Sequence, residues 1–142
     1  MSSIKEIIAR VDLNKPNAFD EPRKLAWIAE LDGWIALDIL RMNITQVQQL
    51  LYTHPTDLER APLLTFPHDG LYDLWLGAKI DFENGEYTKY QNTMEMFNAA
   101  YDNFNHWFIV TYEPAQRAAG DPWPPEPYAT ALAQGIANEE EK

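Results

Sequence analysis

Three histidines, His54, His68 and His106, are the side chains best suited to move a proton near neutral pH or to hold a metal. No two of them stand four apart, the spacing that sets two ligands on one helical face, and no H-E-x-x-H occurs. His54 and His68 each precede a proline-bounded stretch or neighbour one, which places them in connecting segments. Asp81-Phe82-Glu83-Asn84-Gly85-Glu86 begins like a calcium loop. Its glycine comes one place too early, and Asn92 stands where the bidentate glutamate belongs, so a helix cap accounts for it better. Asp69 and Asp73 lie one helical turn apart, as paired acids for general acid–base work would. Carboxylates at a helix start are also ordinary dipole partners, which is the simpler reading.

The rest of the usual apparatus is missing from the sequence. There is no cysteine, hence no disulfide, thiolate ligand or cysteine nucleophile. No G-x-S-x-G elbow and no glycine-rich phosphate cradle occurs. The expectation is therefore a protein without catalytic, cofactor or metal residues, one that acts by binding other proteins.

A net charge of −11 repels phosphate backbones, so wrapping nucleic acid is not expected. The opening MSSIKEIIARVD carries Lys5, Glu6 and Arg10 within any apolar run, unlike a signal peptide, and no stretch is apolar enough for a membrane span. The chain is expected to stay in the cytoplasm.

Helices must position whatever this protein uses. Ser2 or Ser3 caps a first helix with Ile4, Ile7, Ile8 and Val11 on one face, ended by Asn14-Lys15-Pro16-Asn17. Asp20 and Pro22 start a second, in which Leu25, Ile28, Leu31, Ile35, Ile39 and Met42 recur at steps of three or four. Trp27 and Trp34 add a second apolar strip, so this helix is expected to be buried on more than one side, and Gly33 implies a close neighbour. Ile44 to Tyr52 carries a further turn or two. His54-Pro55 and Pro62 then make 53–68 a long connecting loop, a kind of segment that is often functional.

A third helix from about Asp69 sets Leu71, Trp75, Ala78 and Phe82 on one face and stops at Asn84-Gly85. The fourth starts at once and carries Tyr87, Tyr90, Met94, Phe97, Tyr101, Phe104 and Phe108 at alternating steps of three and four. Such a stripe of rings could stack bases, but the helix offers only Lys89 as a basic neighbour, so core packing explains it better. The fold expected is all-α and four-helix bundle-like, with the third and fourth helices as a long antiparallel hairpin. Residues 1–112 form that domain, and 113–142 a Pro-rich C-terminal extension around Asp121-Pro122-Trp123-Pro124-Pro125-Glu126-Pro127.

From Gly70 to Phe108 the chain reads GLYDLWLGAKIDFENGEYTKYQNTMEMFNAAYDNFNHWF. Ala78, Ile80, Asp81, Asn84, Gly85, Glu86, Tyr87, Lys89 and Tyr90, then Met96, Phe97, Asn98, Ala99, Tyr101 and Phe104, resemble the pattern of a family of small helical head–tail connector (adaptor) proteins. These are encoded in the structural modules of tailed phages and prophages. Lys15-Pro16-Asn17, Trp27 and Leu31-Asp32-Gly33 resemble the opening of the same family. The likeness spans roughly 4–112 and departs from the pattern at 43–68 and after Glu113.

What the resemblance implies is a virion structural protein that docks on the portal vertex and joins head to tail. It implies the portal protein and neighbouring connector subunits as partners, and a homo-oligomeric ring through which DNA passes without specific binding. The implied location is the virion neck, reached from the host cytoplasm during assembly, with no membrane involved. Candidate contact residues are Phe66 in the long loop and Trp123, Pro124 and Tyr128 in the extension. The alternative is a non-structural acidic binding module, an inhibitor or regulator that offers its negative surface to a basic partner.

Overall fold

The computed structural model describes residues 2–112, 124–125, 127–129 and 131–132. These are helical, with no strand among them. α1, Ile4–Asn14, starts where the Ser3 hydroxyl accepts from the Glu6 amide at 3.1 Å, and buries Ile4, Ile7, Ile8 and Val11. α2, Glu21–Asp38, starts where the Asp20 carboxylate accepts from the Arg23 amide at 3.0 Å, with Pro22 in the first turn. It buries Leu25, Trp27, Ile28, Leu31, Asp32, Ile35 and Ala36, more than one face as expected.

The apolar spacing of α2 continues to Met42, but the helix ends at Asp38. Arg41 takes a left-handed φ of 51°, and the Ile39 and Leu40 amides both donate to the Ile35 carbonyl. The chain turns there while Ile39, Leu40 and Met42 stay buried, so the periodicity outlasts the helix. α3, Ile44–Gln48, is a single turn closed by a reciprocal Asn43–Gln46 capping box. A Cβ at position 33 would meet nothing closer than Val47 Cγ1 at 4.0 Å, an ordinary contact, so no tight approach requires a glycine there.

The 53–68 connection is not a free loop. A 3-10 turn spans Thr56–Glu59, and Leu58, Ala61, Leu63 and Leu64 are buried. The Arg60 carbonyl accepts from the Ile4 amide at 2.8 Å, fastening the connection to the start of α1.

α4, Gly70–Glu83, and α5, Tyr87–Tyr112, form the expected antiparallel hairpin. Gly85 at φ 75° supplies the left-handed residue between them, and the Glu86 amide returns to the Asp81 carbonyl at 2.9 Å. α4 is the centre of the molecule and packs on α1, α2 and α5. Covered on three sides, it buries Leu71, Tyr72, Leu76, Ala78, Ile80 and Asp81, while Phe82, placed inside by its spacing, is exposed. Within the stripe on α5, Phe97, Phe104 and Phe108 are buried, whereas Tyr87 is exposed at the hairpin end beside Phe82.

The described part of the C-terminal extension lies against this body rather than standing off it as an arm. Pro124, Tyr128, Ala131 and Leu132 are buried, and the Arg60 guanidinium donates to the Ala131 carbonyl at 3.0 Å.

Candidate protein-binding surface

The residues richest in chemistry are sealed inside. Asp32 on α2 has no exposed surface, and its carboxylate accepts from the hydroxyls of Tyr52 and Tyr72, each at 2.5 Å, and from the Leu63 amide at 3.1 Å. The Tyr72 hydroxyl in turn accepts from the Leu64 amide at 2.8 Å. Burial pushes the Asp32 carboxyl up to about 6, against the two phenols, the Leu63 amide and the Arg60 charge, all of which favour the ionised form. Burial and the Asp32 charge push both phenols well above their ordinary value. A carboxylate between two phenols is a proton-transfer set in composition. Here no substrate can reach it, and its bonds join α2 and α4 to the 52–64 connection.

Ion pairs extend this bracing. Arg10 of α1 grips Asp73 with bonds of 2.6 to 3.1 Å and reaches Asp69 at 3.6 Å. The two acids expected to serve the α4 dipole thus also clamp α1, and Asp69 makes no capping bond with its side chain. Lys15 meets the buried Asp81 at 2.6 Å, and the buried Lys24 meets Asp12 at 2.7 Å. These pairings set α1 parallel to α4 and antiparallel to α2. His54 pairs with Glu21 at 2.9 Å, and His68 lies between the rings of Phe104 and Trp107, where burial lowers its pKa. Among the described residues no group of three or more His, Asp or Glu is arranged to hold a metal ion.

The outer surface offers something different. Phe66 is 88% exposed, although Leu63 and Leu64 just before it are anchored in the core. Trp34, read from its spacing as part of a buried strip, is 59% exposed. α2 and α5 flank α4 without closing over it. The Trp27 ring packs against Phe19 and under Arg23, and its carbonyl accepts from the Trp75 indole N–H at 2.9 Å, whereas the Trp34 ring is left mostly open. The result is a groove of about 250 Å³ lined by Leu31, Trp34, Trp75, Phe97, Asn98 and Tyr101. A second hollow of about 190 Å³ continues from Trp75 toward Phe82, Tyr90 and Met94.

Among the described residues, Phe66 is the expected contact residue found at the surface. Tyr128 is 5% exposed, with its ring 5.8 Å from Phe108 and 6.2 Å from Tyr112, and burial raises its pKa. Pro124 is buried too, so both complete the chain's own core instead of a contact. Trp123 lies outside the described residues. Sequence reasoning missed Trp34 and the groove, because the seven-residue spacing of Trp27 and Trp34 carries no sign of which ring the neighbouring elements cover.

No family model, curated protein or solved structure matches this chain.

Proposed function

We propose that this chain is a structural head–tail connector (adaptor) of a tailed phage or prophage, which docks on the portal vertex as one subunit of a ring. The observation that carries the reading is Phe66. A large apolar side chain held almost wholly in solvent, on a segment pinned by Leu63 and Leu64, is preorganised for a pocket on another protein. The motif residues behind the resemblance support it in a second way. Lys15, Asp32 and Asp81 make the bonds that hold the helices in register, as a rigid adaptor body requires. The charge of −11 suits a wall past which DNA moves without sticking. No helix of the described residues is long and apolar enough to cross a membrane.

The test is the composition of the particle. Purified phage particles from a producing strain should contain the chain, and an antibody to it should label the neck. A chain absent from purified particles, or spread over the head, would overturn the proposal. The same negative charge favours a second reading, an acidic module that inhibits or regulates a basic host or phage protein; a stable soluble complex with such a partner would be its signature.

A further inference from the structure

The groove along α5, bounded by α2 and α4 at the Trp34 end and by α4 alone at the Phe82 end, involves a different set of side chains from Phe66 and calls for its own ligand. Its two hollows meet at Trp75. On α5 the first is lined by Phe97 and Tyr101 and the second by Tyr90 and Met94, so they stand about seven residues apart. At the helical rise this is roughly 10 Å, the separation of two side chains at i and i+7 on an α-helix.

The ends of the groove differ in charge. At the hollow near Phe82 the ions are already matched, Lys79 with Glu30 at 3.0 Å and Glu83 with Arg23 at 3.0 Å. At the Tyr101 end, among the described residues, they are not. Asp38 accepts from the Tyr101 hydroxyl at 2.8 Å, a neutral donor, and stands at the C-terminus of α2, the least favourable end for a carboxylate. Asp102 is exposed beside the same tyrosine, and its charge adds to that of Asp38 in raising the Tyr101 pKa, behind burial. A cation placed there would meet two acids and the negative end of a helix dipole together.

We infer that this groove is a docking site for a short amphipathic helix of a partner protein, with apolar side chains at i and i+7 seated in the two hollows and a Lys or Arg beyond the anchor at the Tyr101 end. The recognition mode is a helix laid into an apolar groove, with charge setting its direction. It goes beyond the connector reading and stands without it, since it rests on Trp34, Trp75 and the Asp38–Asp102 pair alone.

The experiment uses the full chain, isotope-labelled, and two synthetic helical peptides. Both carry leucine at i and i+7; one is flanked by lysines at the end meant for Tyr101, and its counterpart has glutamates there. The basic peptide should shift the Trp34 and Trp75 indole resonances and bind at least about tenfold tighter than the acidic one. Trp34→Ala, at an exposed site that leaves the fold intact, should weaken it about tenfold or more. Asp38→Asn with Asp102→Asn should remove the preference for the basic peptide while sparing the apolar contribution. Raising salt to about 0.5 M should narrow the same preference. Equal binding of both peptides, or no shift at either indole, would overturn the inference. So would self-association that Trp34→Ala abolishes, because the groove would then belong to a second copy of the chain.

Discussion

The node around Asp32 and the groove around Trp34 are built on the same stretch of α2, two residues apart, yet they answer to opposite physics. At Asp32 the carboxylate is fully buried and hydrogen-bonded, and its bonds run to Tyr52, Leu63 and Tyr72, segments distant in sequence. At Trp34 a large apolar ring is left in water beside other half-covered rings. The first arrangement is costly to disturb and gives nothing to a partner. The second adds little to the fold and has binding energy still to release. The difference teaches that the fully buried titratable groups belong to the frame of this molecule, while its proposed capacity to bind lies in uncovered apolar side chains.

Substitutions can break that contrast, and the largest effect is expected at Asp32. Asp32→Ala leaves two phenols and the Leu63 amide without their acceptor inside the core, and should cost about 4 kcal/mol in urea unfolding. A loss below about 1 kcal/mol would mean the node is not part of the frame.

The pH dependence should follow from the same carboxyl. Its folded pKa of about 6 lies above the ordinary 3.8, so the folded state holds more protons between these values. The part of the stability linked to protonation of Asp32 is therefore full below about pH 4 and is lost as pH rises to about 6, by roughly 3 kcal/mol in all, while the bonds to the ionised carboxylate remain. Unfolding free energies across this range, compared with those of Asp32→Asn, should differ with that slope. A flat difference would contradict the assignment.

Lys15→Ala should cost about 2 kcal/mol, less than loss of Asp32, because it strands the buried Asp81 carboxylate but Lys15 itself is partly in solvent. Chemical denaturation at neutral pH checks this. Trp34→Ala and Phe66→Ala, on the other side of the comparison, should each change stability by less than about 0.5 kcal/mol in the same assay.

Much of the frame was legible from local signals. Ser3 and Asp20 as caps and Asn84-Gly85 as a stop each depend on a few neighbouring residues and appear in the structure where the sequence put them, whereas the ring stripe of α5 is core only at Phe97, Phe104 and Phe108. What escaped depends on contacts between distant segments. The Asp32 node joins residues up to forty positions apart, and nothing near Asp32 announces its partners. Arg41 ends α2 in a conformation that local propensity does not favour, within an apolar pattern that runs on past it. Tyr128, placed at an interface because it follows a Pro-rich run, is core because the end of α5 offers Phe108 and Tyr112 to cover it. The exposure of Trp34 follows from how α2, α4 and α5 pack around it, which is a property of the assembled fold. Phe66 differs in one respect: its position was expected, but its near-complete exposure beside two buried leucines emerges only from the packing.

The most direct test of the central claim is the affinity of the purified chain for the portal protein of the genome that encodes it, measured for the natural sequence and for Phe66→Ala. The account predicts a complex with the natural chain and one at least about thirtyfold weaker for the variant, with unfolding free energy unchanged. A portal that fails to bind the natural chain, or binds both chains alike, would contradict it.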